Sequence, residues 1–373
     1  MNQEWPSIRV MHLKGGLRCI NDASPKCEIY PLTNKHSYLF KVPQYSLVYS
    51  AIESLNQEII GIEFIDNSLQ INGADLPEWR VYNKSFINRW SNAESAELWR
   101  RIGNSAYGIK DGYLWDLTNR ISHQLRVCGW RIKELSDRYH DQLTAVIERG
   151  EHVNEIKFKD NFTWLCYLAI QTFLIDACIL RDFLAEFISS YIIESAAKNN
   201  KRITTMSSLL REVKKLPKQD DPLVNELLSI TGELGWLKSL GDYRDLVVHS
   251  APIDQAETIL FAKNRLVKCC GKITPVIECP IPQNPSKSYK TRHNRSLFDD
   301  FDELIKALAG LTDTHNSSID GLSYCHSMLG YLSSFAYKIG LRSKLKPTLK
   351  TIYSSDIVGD FVYKKYDSPR RSD

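Results

Sequence analysis

Apolar positions recur along this chain with two different periods. Over the first 85 residues, short β-branched and aromatic runs predict strands at Ile8–Leu13, Cys27–Leu32, Ser37–Val42, Ile59–Ile65 and Ser68–Ile71, separated by turn-forming residues. Ile65-Asp66-Asn67-Ser68, between two such runs, reads as a hairpin. From about Trp90 the period becomes helical. Leu114, Leu117, Ile121, Leu125, Cys128, Ile132, Leu135, Tyr139, Leu143 and Val146 step by three or four. They predict one amphipathic helix over Gly112–Arg149, stopped by Gly150. With Asp160 as its cap, a second helix carries Phe162, Cys166, Ala169, Phe173, Ala177, Leu180, Leu184 and Tyr191 at the same spacing. The two are expected to pair antiparallel across residues 151–159.

Further on, the pattern predicts a helix over Thr205–Lys215 and another running through Leu237, Leu240, Tyr243 and Val247 to His249, ended by Ser250-Ala251-Pro252. Thr258–Ala262 and Leu266–Cys270 are expected to form a hairpin around Lys263-Asn264-Arg265. A loose basic stretch follows from Gln283 to Arg295. Helices are then predicted over Asp299–Leu311 and along Ile319, Leu322, Cys325, Leu329, Leu332, Phe335 and Ile339. The expected fold class is mainly α: a helical bundle with a small β-rich N-terminal region and an inserted β-hairpin. Its units are a β-rich region at 1–86, a helical domain at 87–345 and a partly ordered tail at 346–373.

Composition narrows the function. Lys+Arg number 48 against 44 Asp+Glu, a net charge of only +4, which excludes a histone-like or an acidic solvating chain. The nine cysteines are scattered, as in a reducing compartment. The N-terminus lacks the apolar run of a signal peptide, and the apolar stretch Asn161–Ile175 stops at Asp176, Arg181 and Asp182, short of a membrane span. These features lead to the expectation of a cytoplasmic protein without a membrane partner.

Phosphate-binding loops, dinucleotide fingerprints, the nucleophile elbow and H-E-x-x-H are all missing from the sequence. Cys269, Cys270 and Cys279 with His293 lack a recognised zinc spacing, and half-buried thiols in a strand pair account for them better. His36, His123, His140, His152, His315 and His326 show no metal spacing either. No metal or cofactor is expected. Asp176 with Arg181 and Asp182 reads either as a buried polar network or as an exposed helix edge.

One constellation carries chemistry. In Leu240-Gly241-Asp242-Tyr243-Arg244-Asp245-Leu246-Val247-Val248-His249-Ser250, an Arg, an adjacent Asp and a His sit near the end of a helix. A guanidinium is a permanent forked donor for phosphate oxygens. An imidazole exchanges protons near neutral pH, and a 2′-hydroxyl nucleophile requires no metal. On an ideal helix the two side chains are about 140° apart. A second element, the basic loop Lys287, Tyr289, Lys290, Arg292 and Arg295, reads either as solvated chain or as an RNA-backbone track.

Arg244, Asp245 and His249 resemble the R-x4-6-H motif of the HEPN (higher eukaryotes and prokaryotes nucleotide-binding) domains, with a polar residue directly after the Arg. The similarity covers roughly Gly112 to Gly340, with Thr258–Cys270 as an insertion. It implies a metal-independent endoribonuclease, dimeric, with motifs of two protomers lining one cleft, acting as a toxin or defence effector opposed by a neutralising antitoxin or joined by a defence-system partner. His249 is then general acid/base, Arg244 the phosphate ligand and Asp245 the orienting group, with Tyr243 and Val247 packing at the dimer contact. The alternative is a non-catalytic helical module that binds RNA, nucleotide or protein. In a third reading the chain is an interaction protein in which the motif is accidental.

Overall fold

The computed structural model describes residues 5, 7–33, 36–85, 88–150, 153–193, 202–215, 221–250, 261–269, 271–294, 296, 299–309 and 318–349. Strands β1 (Ile8–Leu13), β2 (Arg18–Asn21), β3 (Lys26–Leu32) and β4 (His36–Lys41) are followed by helix α1 (Val48–Ser54) and strand β5 (Ile59–Ile65). The four-residue helix α2 (Ser68–Ile71) precedes β6 (Glu78–Val81). The strands form one antiparallel sheet in the order β4-β3-β2-β1-β5-β6. Ser68–Ile71 is therefore helix and not strand, and there is no hairpin at Asp66-Asn67. The Asn67 side chain accepts from the Gln70 N–H, the local bond that favours a helix start over a β-turn.

Helices α3 (Ser91–Gly108) and α4 (Gly112–Arg149) lead through β7 (Lys157–Phe158) to α5 (Asn161–Phe187). Every apolar position that defines the long helix is buried, and Gly150 closes it in the left-handed conformation. Asp160 starts α5 with a reciprocal capping box to Thr163. Gln142 bonds Thr163, Arg131 pairs with Asp176 and Arg120 with Glu186, so α4 and α5 run antiparallel as expected. The most apolar part of Asn161–Ile192 is long enough to cross a membrane, but half of it is buried inside this fold.

Then come α6 (Met206–Val213), α7 (Pro222–Ile230) and α8 (Trp236–Asp245), which passes into a wide π-helical turn at Leu246–Ser250. Strands β8 (Ala262–Cys269), β9 (Lys272–Glu278) and β10 (Pro280–Pro282), helices α9 (Pro285–His293) and α10 (Phe301–Ala309), strand β11 (Ser318–Asp320) and helix α11 (Gly321–Leu341) complete the order. Lys263-Asn264-Arg265 is not a turn. It lies inside β8, which pairs with β9 along its length, and the reversal falls next to Gly271 at φ 79°. Residues 258–260 and 270 of the expected hairpin, the helix stop at 251–252, the end of the helix expected at 310–311, His152, His315 and the tail from 350 on lie outside the described residues.

The mainly-α expectation is overturned. Among the described residues 59% are helical and 19% are in strands, and the six-stranded sheet makes this a mixed α/β fold. Much of the missed strand came from short segments, such as Arg18–Asn21, held between β1 and β3, and Glu78–Val81, paired at the sheet edge with β5, that only their neighbours hold extended. Sheet and helices share one apolar core.

The sheet is fastened to the helices by three histidines, His12 and His326 buried and His140 half-buried. His12 on β1 donates from Nε2 to Glu63 (2.7 Å) and accepts at Nδ1 from the Ser136 hydroxyl of α4 (3.2 Å). His140 of α4 bonds the Gly16 carbonyl at 2.8 Å, and His326 of α11 the Tyr82 carbonyl at 2.7 Å. Burial lowers the pKa of all three, so they stay neutral. Beside them Arg18 reaches Asp137 at 2.6 Å, and Lys133 lies 3.0–3.2 Å from Asp137 and Glu63. Trp79 lies against His12 and donates to the Gly129 carbonyl of α4. Its ring occupies the space where a Gly61 side chain would be, 2.2 Å from an added Cβ.

Two outcomes follow from this seam. Gly61→Ala must displace the Trp79 ring and should destabilise the fold by about 1–3 kcal/mol in urea unfolding. The histidines set a pH dependence. Above the unfolded value of about 6.5 both states are neutral, and below it the unfolded chain takes up protons that the folded chain refuses. Stability should therefore fall as pH drops from about 6.5 towards the lower folded values, by at most about 1.4 kcal/mol per pH unit for each histidine. His326→Gln should be less stable near neutrality and show a shallower slope in urea titrations over that range.

Candidate functional site

Leu237, Leu240 and Tyr243 recur at three-residue steps on α8 and are buried where it packs on α5. The Tyr243 ring lies 4.6 Å from that of Tyr324, and its hydroxyl donates to the Pro282 carbonyl. The Cys178 thiol of α5 approaches the Leu240 carbonyl at 3.7 Å, and burial pushes that thiol up to about 11, so it is no thiolate at neutral pH. With the apolar face so engaged, Arg244 and Asp245 are left at the rim. Arg244 Nη1 bonds Asp245 Oδ1 at 2.9 Å, with both side chains partly exposed. Tyr243 and Val247, expected at a dimer contact, are instead buried within the chain. They lie on the face of the helix that the core claims.

His249 follows in the π-helical turn. Such a turn bonds residue i to i+5, so positions five apart fall nearer to one line than on an α-helix. The backbone therefore brings position 249 closer to the Arg244 side than the ideal helical angle allows.

The basic stretch is not a loop. Asn284 caps α9 by accepting from the Lys287 N–H, and Pro285 occupies the first turn, where its missing N–H costs nothing. This helix packs on α8 and on the π-helical turn, so two segments separate in sequence become neighbours. Pro285 and Ser288 face inwards, while Lys287, Lys290 and His293 are exposed at three-residue steps. The half-buried Tyr289 stacks on the His293 ring with centroids 4.1 Å apart. Arg292 lies on the same helix, and Arg295 lies outside the described residues.

The acidic and thiol groups are otherwise occupied. Asp176 is largely buried and accepts from Gln124 and Arg131 of α4, so the polar-network reading holds for it. Arg181 pairs with Asp182, which also accepts from the Met206 N–H at the start of α6. Arg181 lies across Gly241, where an added Cβ would be 3.0 Å from its Nη1. The described cysteines are buried and form no disulfide with one another. Cys279 faces Gln142, whereas His293 stacks on Tyr289, so they form no common site.

Sequence reading missed the His12 cluster. Ser136, His12 and Glu63 have the hydrogen-bond order of a nucleophile, base and orienting acid. Ser136 and His12 are, however, fully buried, so no substrate reaches the hydroxyl. His12, Glu63 and Asp137 also place donor atoms within 4.8 Å of one another. Lys133 and Arg18 already neutralise both carboxylates, which makes the group a poor fit for a divalent cation. It is a structural clamp. Its one trace in the sequence is the placing of polar side chains at Arg9, His12 and Arg18 inside otherwise apolar strands.

Comparison with protein-family models, with curated proteins and with solved structures gives no match for this chain.

Proposed function

We propose that this protein is a metal-independent endoribonuclease whose centre is Arg244, Asp245 and His249. The observation that carries the reading is the packing of α9, with exposed Lys287 and Lys290, against α8 and the turn that holds position 249. Cationic helix residues track a phosphate backbone, and the Tyr289–His293 pair offers a stacking surface for a base. The resemblance of Arg244-Asp245 and His249 to the HEPN motif supports the same chemistry.

In this mechanism Arg244 exchanges part of its bond to Asp245 for the non-bridging oxygens of a bound phosphate and neutralises the charge that develops there. His249 takes the proton of the adjacent 2′-hydroxyl as its oxygen bonds to phosphorus. The bond to the 5′ oxygen breaks, and the imidazolium returns the proton to that leaving group. The products are a 2′,3′-cyclic phosphate and a 5′-hydroxyl. Asp245 holds Arg244 ready when no RNA is bound. RNA is the proposed partner, together with a second copy of the chain and a neutralising or defence-system protein.

His249→Ala should slow cleavage by about 10²–10⁴-fold, with RNA binding nearly unchanged in a gel-shift assay. Retained cleavage in that variant would assign the activity elsewhere. Cleavage of RNA in excess EDTA, with cyclic phosphate ends and no action on DNA, is the product-level expectation. Magnesium dependence would overturn it. Lys287→Glu with Lys290→Glu should weaken binding across all RNA sequences and reduce its salt slope by about 1–2. An unchanged slope would remove α9 from the RNA path. A His249→Ala protein that binds RNA, beside a wild type that binds and never cuts, would favour the non-catalytic module.

A further inference from the structure

Beside the C-terminal half of α5 lies a concavity of ≈ 450 Å³ lined by Ile179, Phe183, Asp182, Glu186, Arg120 and Arg202. Clefts of this size hold small organic ligands. Its polar walls are fixed by the fold. Glu186 is 4% exposed, accepts from the Tyr113 hydroxyl at 2.7 Å and receives both terminal nitrogens of Arg120 at 3.1 and 3.4 Å. Arg120 also donates from Nε to Asp116, and its guanidinium lies 4.8 Å from the Phe183 ring centre. Arg202 lies over the Tyr113 ring at 4.0 Å, and the Ser189 hydroxyl donates to the Ile203 carbonyl, so this segment is docked on α5.

The two arginines differ in charge balance. Glu186 and Asp116 neutralise Arg120, whereas Arg202 forms no ion pair among the described residues. Stacking on a ring covers the face of a guanidinium and leaves its in-plane N–H fork open. Asp182 is also half used. Its Oδ1 accepts from Arg181 Nε and from the Met206 N–H, both at 3.1 Å, while Oδ2 meets no donor among the described residues. Ile179 and the half-buried Phe183 supply the apolar surface. One unpaired guanidinium calls for one negative charge, and a phosphate dianion would carry its excess charge towards Asp182 and Glu186. Asp182 Oδ2 calls for an O–H or N–H donor. Arg202 belongs to the Glu186 end, because the Tyr113 ring beneath it bonds Glu186. Acceptor and cation are thus about one helical turn apart, ~6 Å, a distance that a single aromatic ring spans.

We infer that this concavity binds a small aromatic carboxylate that carries a ring hydroxyl or ring N–H. The carboxylate lies on the Arg202 fork, the ring against Ile179 and Phe183, and the ring donor on Asp182 Oδ2. The inference is independent of the nuclease reading.

The test is isothermal titration calorimetry of the full chain with 4-hydroxybenzoate and with indole-3-carboxylate. At least one should bind saturably, with a single site per chain and a submillimolar Kd. Benzoate, which lacks the donor, and 4-hydroxybenzyl alcohol, which lacks the charge, should each bind about tenfold more weakly than 4-hydroxybenzoate. Arg202→Gln should weaken the bound probe by about tenfold or more with circular dichroism unchanged, because the side chain is exposed. Arg202→Lys keeps the charge without the fork and should recover part of the loss. Absence of saturable binding by both probes at millimolar concentration, or binding that Arg202→Gln leaves unchanged, would overturn the inference. So would benzoate binding as tightly as 4-hydroxybenzoate. Tighter binding of AMP or inorganic phosphate that displaces the probe would overturn it too, since the site would then be one for phosphate.

Discussion

The structure depends on keeping two buried histidines, His12 and His326, and the half-buried His140 neutral between the sheet and the helices. The N-terminal sheet brings its polar face, not an apolar one, to α4: His12, Arg18, Glu63 and Trp79 meet Lys133, Ser136 and Asp137. Buried charge is tolerable only when every partner is present. Here Arg18 and Lys133 balance Glu63 and Asp137 while His12 stays neutral between them. His140 and His326 repeat the device with backbone carbonyls as acceptors. Hydrogen bonds of this kind fix a register as well as an affinity, because a slip of one residue leaves several buried polar groups unsatisfied. The close approach of Tyr139 O to Gly16, 2.5 Å from an added Cβ, shows how little room the seam allows.

Helix α4 is the element through which this constraint reaches the candidate site. One side of it receives the sheet, and the other pairs along its length with α5, whose Cys178 and Arg181 lie against α8. Because α8 commits Leu237, Leu240 and Tyr243 to that contact, its remaining side chains are forced outward. The rim position of Arg244 and Asp245 is thus a consequence of core packing. The wide turn after Asp245 then carries the backbone on towards α9. Cationic side chains near a phosphate-binding arginine need a rigid support to act together, and a helix docked on that turn provides it.

Most helical elements could be read from periodicity, because a stripe of apolar residues has one way of being buried when it repeats over many turns. Gly112–Arg149 and Asn161–Phe187 are the strongest cases, with Asp160 and Gly150 marking ends through local hydrogen bonding and φ preference. The short strands were less legible. Arg18–Asn21 and Glu78–Val81 have too few residues to show a period, and Lys263-Asn264-Arg265 carries polar residues that suit a turn as well as a strand. Nor did the Gln283–Arg295 stretch announce a helix. Its apolar content is low, and α9 forms because Asn284 and Pro285 start it and α8 offers a surface.

Local pattern sets the long helices, their antiparallel pairing and the residue types available for phosphate chemistry, since periodicity, caps and side-chain functional groups are local properties. Tertiary structure alone decided that six short strands make one sheet. It also decided that His12 and Ser136, 124 residues apart, share a proton-bearing bond, and that α9 lies beside the turn containing His249. The physical reason is common to all three. Pairing between distant segments is set by which surfaces remain unsatisfied once local structure has formed, and no local pattern records the partner.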